Sequence, residues 1–477
     1  MGKKLKAKDA LNGYKNDGYT ETVKHKVLFC GNVEGNNNKH YSLEIQKHPN
    51  GTYRIFTHYG RLGKTDNYEI RDDYQGQPLT DLSFVEEEFD VILNSKLKGK
   101  KIDDRTEKYE LVDVFAPTVG SENVRGKSVK TIEVKANKKE ILNDYSHPEV
   151  TRILRQIIDE NIHNISSMTS LKLTSNGFET PLGPVTKEHV QKAKEPLELL
   201  KNLLVDGKLN QDLRSVKENN NKYFSLIPHP FGSKIKIEDW ILDERKLSEE
   251  FELLDNLESA VQMGSALQNT SQQKNALGSD IDILDDKKEF DRIEKYIYNS
   301  RAHNHQGTDV YRYKVKQIFK IRIPNERNRF EVIKNQYDNE KELFHGSKNC
   351  NILSIVKSGL IIPPCNASGV TGRMMGNHIY FACNSTKSMN YCTNFWNRSH
   401  TSKNDNIFLF LSNVRLGKIL TVFKSTPSGI PKGHDSIWAK AGRDLYNDEF
   451  VINKLEQHTL TYMVELKKWT CKIIQYY

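Results

Sequence analysis

The sequence predicts a multidomain protein with a small α+β domain, an all-α helical bundle and an α+β domain with antiparallel sheets. The chain has 477 residues, which is more than one hydrophobic core usually serves. Apolar and polar residues alternate near the start and in the last third, as in strands, whereas the middle has helical spacing. We expect a flexible basic tail over residues 1–22 and domains at 23–140, 141–278 and 279–477.

The first domain begins with a predicted β-hairpin. Tyr41, Leu43 and Ile45 alternate with polar residues, and the alternation resumes after the turn sequence Pro49-Asn50-Gly51. The second predicted strand leads into Tyr59-Gly60-Arg61. The preceding tail is rich in lysine and has no apolar periodicity, so we expect it to be flexible.

The middle segment has three apolar stripes with the spacing of amphipathic helices, which predicts a helix bundle. A run rich in Ser, Gln and Asn at 265–279 is typical of a surface loop. The stripes consist of Ile153, Leu154, Ile157, Ile158 and Ile162; of Val190, Ala193, Leu197 and Leu200; and of Phe251, Leu254, Leu257 and Val261.

The last segment changes to strand periodicity after one helix, which we expect at 286–300. Apolar residues alternate from Tyr311 to Ile323 almost without interruption. Short strands with few helices favour an α+β domain built on antiparallel sheets. Further strand candidates are residues 378–382, 407–411, 449–452 and 459–466.

Composition argues against several classes of protein. No apolar run approaches the ~20 residues of a membrane span, and the N-terminus has no secretory signal, so we expect an intracellular protein without a membrane partner. The six cysteines form no C-x-x-C pair, which argues against a metal site and a disulfide framework. The net charge of +9 attracts polyanions, but an ordinary solvated basic face explains it equally well.

A set of short motifs in the last segment is the most informative feature of the chain. In this order the motifs resemble the His-Tyr-Glu signature of the poly(ADP-ribose) polymerases. The resemblance implies an ADP-ribosyltransferase fold and a pocket for NAD, although the chain has no G-x-G-x-x-G fingerprint. The motifs are His345-Gly346-Ser347, Ser358-Gly359-Leu360, Gly376 to Ala382, Ser388 to Cys392, and Glu449 within Tyr446 to Ile452.

The resemblance also implies roles for the residues of the NAD pocket. Gly346 would offer main-chain groups to the nicotinamide amide, because a residue without Cβ lets a ligand come close. Ser388 would add a hydroxyl donor, and two tyrosines would stack on the nicotinamide ring. The expected NAD-binding residues are His345, Gly346, Ser347, Asn351, Tyr380, Ser388 and Tyr391, with His345, Ser347 and Asn351 near the adenosine-side ribose.

Glu449 is expected to carry catalysis together with His345 and Tyr380. Cleavage of the nicotinamide–ribose bond passes through an oxocarbenium-like state, as in glycoside hydrolysis. A carboxylate can bind the ribose 2′-hydroxyl, stabilise the positive charge and act as base on an incoming hydroxyl. In the family this Glu goes with chain elongation, so its presence favours polymer formation. Asp448 should point to the opposite face of the strand.

The two preceding domains resemble other parts of the same family. Tyr59-Gly60-Arg61 resembles the Trp-Gly-Arg domain of the DNA-dependent members, with Tyr59 in place of Trp, and implies DNA contacts by Tyr59 and Arg61. The helical segment resembles the regulatory domain that precedes the catalytic domain. We found no counterpart of the family's zinc fingers, so DNA contacts would depend on the tail and residues 23–140.

These resemblances predict a nuclear enzyme that uses NAD as substrate and no metal. Activated by DNA strand breaks, it would attach poly(ADP-ribose) to itself and to DNA-repair or chromatin proteins. Two alternatives stay open: a mono-ADP-ribosyltransferase on the same fold, and a non-catalytic sensor or scaffold at DNA ends. Product length would distinguish the first alternative, and NAD consumption the second.

Overall fold

A computed structural model of the chain shows two compact units. One unit combines Met1–Asn137 with Ile165–Leu242, and the other combines Lys138–Asn164 with Asp243–Tyr477. The structure describes residues 5–9, 18–32, 37–61, 67–102, 105–107, 109–112, 147–174, 177–180, 183–207, 212–231, 236–268, 277–362, 374–393, 406–426 and 428–469.

The first unit contains a six-stranded antiparallel sheet of order β1-β5-β4-β3-β2-β10. The predicted hairpin is confirmed, since β3 and β4 pair with Tyr41 opposite Tyr59. The strands are β1 (Lys8–Asp9), β2 (Glu21–Asn32), β3 (Asn37–Lys47), β4 (Tyr53–Arg61), β5 (Asn67–Arg71) and β10 (Glu110–Val112); the short pairs β6 (Asp73–Tyr74) with β7 (Gln77–Pro78) and β8 (Lys100–Ile102) with β9 (Arg105–Glu107) lie outside this sheet.

Helix α1 (Leu82–Lys98) covers one face of this sheet. Its N-cap is Asp81, whose carboxylate accepts hydrogen bonds from two main-chain N–H groups of the first turn. Its apolar side packs on the sheet, with Val85, Phe89 and Ile92 in one cluster with Leu43 and Ile45. Burial of these side chains is the main stabilising contribution to this layer.

Part of the N-terminal segment packs against the sheet. The side chain of Leu5 is buried, and its main-chain N–H donates to the Glu88 carboxylate over 3.1 Å. Lys8–Asp9 pairs with β5. At residues 5–9 the segment therefore differs from the flexible tail expected from its composition, because it completes an edge of the sheet; residues 1–4 and 10–17 lie outside the described part.

The helical segment is shared between the two units. The first unit holds α3 (Lys187–Val205), α4 (Leu213–Leu226), the end of α2 (Pro148–Met168) and a small sheet of β11 (Lys172–Thr174), β12 (Gly177–Thr180) and β13 (Gly183–Pro184). The second unit holds residues 148–164 of α2 and α5 (Glu244–Gln268). The predicted stripe of α3 is confirmed, since Val190, Ala193, Leu197 and Leu200 are fully buried.

The stripe of α2 belongs to the core of the second unit. Ile153, Leu154 and Ile157 lie in one cluster with Phe319 and Phe408, which are strand residues of the last segment. A half-buried ion pair adds to this contact, because the Arg152 guanidinium donates to both carboxylate oxygens of the buried Glu465, one of them over 3.1 Å. The last segment therefore shares its core with a helix that the sequence assigned to the preceding domain.

Two sheets make up the rest of the second unit, in the orders β14-β15-β22-β18-β16 and β17-β21-β20-β19. All neighbours pair antiparallel except β19 with β20. The strands are β14 (Asp280–Ile283), β15 (Tyr313–Arg322), β16 (Glu340–Gly346), β17 (Ile379–Phe381), β18 (Asn406–Arg415), β19 (Ile419–Val422), β20 (Ser436–Ala439), β21 (Glu449–Ile452) and β22 (His458–Lys468).

Short helices flank these sheets. The predicted helix at 286–300 is confirmed as α6. Tyr311, which was predicted to lie in a strand, lies in a 3-10 turn at Asp309–Arg312, directly before β15 begins at Tyr313. Among the described residues, no helix is both long and apolar enough to cross a membrane. The helices are α6 (Lys287–Asn299), α7 (Pro324–Val332), α8 (Ile352–Ser358) and α9 (Ser385–Cys392).

Candidate active site

The two sheets of the second unit meet where β16 passes β17. Phe344 and Ala382 exchange main-chain hydrogen bonds of 2.9 Å in both directions. This bridge puts His345 beside Tyr380, and the imidazole Nδ1–H donates to the Tyr380 carbonyl over 2.9 Å. Two motifs 35 residues apart in sequence are thereby held together by main-chain contacts.

His345 is half-buried and fixed in one tautomer. Because a carbonyl oxygen can only accept, Nδ1 carries the proton and Nε2 is available as an acceptor. Burial lowers the pKa of the ring, and its bond to the Tyr380 carbonyl opposes this effect. The ring edge rests against Phe381 with centroids 5.8 Å apart. The side chain is therefore neutral and oriented, as binding of a hydroxyl requires.

Gly346 is required by close packing. A Cβ at this position would lie 1.9 Å from the Ser388 carbonyl oxygen, a distance that no side chain tolerates. Ser388 is buried in α9, and its hydroxyl donates to the Phe344 carbonyl over 3.2 Å. The hydroxyl hydrogen can rotate toward a ligand. The predicted pair of Gly346 and Ser388 is thus brought together by the approach of α9 to the end of β16.

The two tyrosines lie near the same carboxylate. The Tyr380 hydroxyl donates to the Gly376 carbonyl over 2.6 Å and accepts from Met375 N–H over 3.0 Å, which fixes the ring. Burial raises the pKa of the Tyr391 hydroxyl, and Glu449 and Tyr380 lie close enough to raise it further. Tyr380, Tyr391 and Glu449 therefore form one cluster, although they come from β17, α9 and β21.

Glu449 begins β21 and is only 4% exposed. Its Oε1 lies 2.7 Å from Lys387 Nζ. Its Oε2 is buried and has no hydrogen-bond partner within the described part of the chain. Burial raises the pKa of this carboxyl group, whereas the charge and hydrogen bond of Lys387 lower it. One oxygen is thus held by a cation, and the other is a buried acceptor without a hydrogen-bond partner among the described residues.

Lys387 is a site residue that the sequence reasoning missed. It lies one position before Ser388 in α9, and its ammonium group also donates to the Asn447 carbonyl over 2.7 Å. Its position inside the motif that contains Ser388 and Tyr391 could have identified this lysine. The partner is 62 residues away in the sequence (449 − 387), which is why the pair was not apparent.

Asp448 has a structural role that explains its position beside Glu449. Its two carboxylate oxygens accept hydrogen bonds of 2.8 Å from Trp438 Nε1–H and from Ala441 N–H. These contacts hold the segment after β20 against the start of β21. Both carboxylate oxygens of Asp448 are thus engaged in these structural contacts.

Ser347 and Asn351 are brought together, and α5 contacts them. Asn351 Nδ2 donates to Ser347 Oγ over 3.2 Å and to the Glu252 carboxylate. Asn256 Nδ2 donates to Asn351 Oδ1 over 2.9 Å. The sequence did not indicate Glu252 or Asn256, because their partners lie about a hundred residues away.

The two residues expected to contact DNA lie at the end of β4. The Tyr59 ring stacks on Tyr41 with centroids 5.4 Å apart, and its hydroxyl donates to Glu69 over 2.9 Å. Burial and the bond to Glu69 raise the pKa of Tyr59 to about 12. Lys96 Nζ lies over the Tyr41 ring at 4.1 Å. Arg61 ends the strand, and its side chain lies outside the described part.

Among the described residues, no group of three or more His, Cys, Asp or Glu side chains is placed to hold a metal ion. Cys30, Cys350, Cys383 and Cys392 form no disulfide with one another.

Two family models match the chain in the order of these elements. Residues 147–287 match the regulatory domain of poly(ADP-ribose) polymerase, and residues 287–443 match its catalytic domain. The chain belongs to the poly(ADP-ribose) polymerase family. Glu449 lies just beyond the matched catalytic range, so the argument for its role depends on the geometry described above.

Curated members of this family are similar over different lengths. Poly(ADP-ribose) polymerase 1 of Gallus gallus is 30% identical over 301 residues, which is 60% of this chain but only 28% of that protein. Poly(ADP-ribose) polymerase 2 of Arabidopsis thaliana is 25% identical over 94% of this chain and 73% of its own length. Poly(ADP-ribose) polymerase 2 of Homo sapiens is 26% identical over 85% and 67%, respectively.

Proposed function

We propose that the chain is an NAD-dependent ADP-ribosyltransferase that builds poly(ADP-ribose) in response to DNA strand breaks. Its acceptors would be the chain itself and nuclear DNA-repair or chromatin proteins. The observation that most strongly supports this proposal is the Glu449 carboxylate, which is buried, paired with Lys387 through one oxygen and unpartnered at the other within the described residues. A buried acceptor without a partner is costly unless a ligand satisfies it.

NAD fits this arrangement chemically. The unpartnered Glu449 Oε2 would accept a hydrogen bond from the 2′-hydroxyl of the nicotinamide ribose. As the bond from ribose C1 to the nicotinamide nitrogen breaks, both electrons leave with nicotinamide and positive charge develops on the ribose. The carboxylate stabilises this charge in a site with little water, where electrostatic interactions are strong. Lys387 helps to keep Glu449 ionised in spite of its burial.

The second half of the reaction needs a base. An acceptor hydroxyl attacks ribose C1, forms the new glycosidic bond and transfers its proton to Glu449. When the acceptor is a hydroxyl of a previously added ADP-ribose unit, the product grows by one unit. The same carboxylate therefore serves both in cleaving NAD and in elongating the chain.

The remaining pocket residues would orient NAD. Neutral His345 has Nε2 free to accept from a ribose hydroxyl, since Nδ1 is committed to the Tyr380 carbonyl. Gly346, Ser388 and the two tyrosines would hold nicotinamide flat and recognise its amide. Orientation of this kind lowers the barrier because the reacting groups are already aligned.

Control by DNA would act through α5. Glu252 and Asn256 bond to Asn351, and Glu252 Oε2 also lies 2.9 Å from Lys348 Nζ. In this state the side chain expected to contact the adenosine-side ribose is already occupied by the helix. DNA bound by residues 23–140 would favour a state in which α5 releases Asn351, a shift between populations of two states.

The direct test is incubation of the full chain with labelled NAD, with and without nicked DNA. We expect label to enter protein as long polymer and the rate to rise on addition of DNA. A single transferred unit would favour the mono-ADP-ribosyltransferase instead. Unchanged NAD under both conditions would contradict the proposal and favour a non-catalytic sensor.

A further inference from the structure

A histidine outside the predicted pocket lies in a polar cluster beside the catalytic carboxylate. His305 ends a 3-10 turn at His303–His305, before β15. Its Nδ1 lies 3.0 Å from Thr386 Oγ1, and its Nε2 lies 3.4 Å from the Nδ2 atoms of both Asn390 and Asn447. With both amides oriented in this way, Nε2 accepts and Nδ1–H donates to the threonine hydroxyl.

This cluster is connected to Glu449 by consecutive contacts. His305 contacts the amide of Asn447, whose main-chain carbonyl accepts from Lys387 Nζ over 2.7 Å. The same ammonium group lies 2.7 Å from Glu449 Oε1. Asn447 thus joins the imidazole to the lysine that holds the carboxylate.

We propose that His305 is a positioning residue for Glu449: its neutral ring holds Asn447, so that the Asn447 carbonyl fixes Lys387 against the carboxylate. This inference rests on the proposed function. Protonation would turn Nε2 from an acceptor into a donor facing two amide N–H groups, and both amides would have to rotate. The turn before β21 would then lose the contact that orients Lys387.

The charges around the ring favour its neutral form. Burial lowers the pKa of His305, and Lys387 on α9 lowers it further. The Asp448 carboxylate contacts Trp438 and Ala441 and makes no contact with the imidazole among the described interactions. Glu449 is paired with Lys387. The pKa of His305 therefore lies below the ordinary 6.5, and the positioning contact is present at neutral pH and lost as pH falls.

The first test compares His305→Ala, His305→Gln and the control His303→Gln, which changes an exposed histidine of the same turn. We expect His305→Ala to lower kcat for elongation on the order of tenfold while the KM for NAD stays constant, because His305 only positions a catalytic group. His305→Gln should restore kcat, since its amide oxygen can accept from Asn447, and should retain more activity than wild type as the pH falls. Wild-type elongation by His305→Ala, or a wild-type pH profile for His305→Gln, would overturn the inference.

The second test needs no turnover. NMR titration of the His305 imidazole in the full chain should give a higher pKa in Lys387→Met than in wild type, because a neighbouring positive charge is removed. An unchanged pKa would overturn the coupling. Absence of any product from wild-type protein would instead contradict the proposed function, so the two failures are distinguishable.

Discussion

At the scale of single residues, the contact with Lys387 favours the charged form of Glu449, the carboxylate that we propose as catalytic. Burial alone would favour the protonated acid, which can neither stabilise positive charge nor accept a proton. The ammonium group 2.7 Å away offsets this effect. We therefore expect the proposed role of Glu449 to depend on its lysine partner.

This dependence leads to a prediction about pH. Lys387→Met removes the group that lowers the Glu449 pKa, so the pKa should rise further above its ordinary value. The acid limb of the pH–rate profile should then move to higher pH by ~1–3 units, the usual effect of one adjacent opposite charge. Steady-state rates between pH 5 and 9 measure this shift. Lys341→Met on β16 is the control, and an acid limb at the wild-type pH in Lys387→Met would contradict the prediction.

The residues of the proposed site could be predicted only where they belong to short motifs. His345, Tyr380, Ser388 and Glu449 were found because the order of their motifs is distinctive. The sequence did not indicate Lys387, His305 or Glu252. The contacts that suggest their roles involve partners about 60 to 140 residues away, which no local pattern encodes.

At the scale of elements, α5 and the segment around α8 face each other along a row of polar contacts. Glu252, Asn256 and Ser259 recur on one face of α5, and they meet Lys348, Asn351 and Ser354. The contact between Ser259 Oγ and Ser354 Oγ measures 3.1 Å. Polar groups can exchange one hydrogen-bond partner for another. An interface of polar contacts therefore opens and closes more readily than a continuous apolar interface would.

We therefore expect that weakening this row raises activity without DNA. The double variant Glu252→Ala with Asn256→Ala leaves Asn351 free for NAD, so DNA-independent turnover should increase ~5–150-fold, the range of typical coupling energies. NAD turnover without DNA measures the effect. Glu195→Ala, on an exposed face of α3, is the control. Basal turnover equal to wild type would show that α5 does not limit access to the site.

The elements themselves were largely predictable, because amphipathic periods of two and 3.6 residues are local. The hairpin of β3 and β4, the stripe of α3 and the helix α6 follow from such periods. The packing of α2 in the core of the second unit does not follow from such periods. It depends on Ile153, Leu154 and Ile157 meeting Phe319 and Phe408, and a helical stripe does not identify the surface that it packs on.

At the scale of the whole molecule, the expected DNA-binding residues and the expected NAD site belong to different units. The chain passes between these units after residue 137, inside α2 after residue 164, and just before α5 after residue 242. Helix α2 packs against strands of the second unit, and α5 packs against α8. A change in the first unit therefore has three covalent connections through which to reach the site.

The DNA end of this coupling can be tested separately. Arg61→Ala should weaken binding to nicked DNA and lower the slope of log affinity against log salt by about one unit, as for loss of one phosphate contact. Fluorescence anisotropy across a salt titration measures both quantities. Lys47→Ala, at the opposite end of the same hairpin, is the control. Equal affinity of Arg61→Ala and wild type at all salt concentrations would place DNA binding elsewhere.

The central claim is that Glu449 carries polymer formation, and Glu449→Gln tests it most directly. The amide keeps the shape of the side chain but removes its charge, its pairing with Lys387 and its capacity as a base. Polymer length and NAD consumption should be followed together on labelled NAD with nicked DNA, with Glu331→Gln, an exposed Glu on α7, as the control. We predict that Glu449→Gln elongates ~10²–10³-fold more slowly and leaves at most single units or slow NAD hydrolysis. Long polymer made at the wild-type rate would contradict the account.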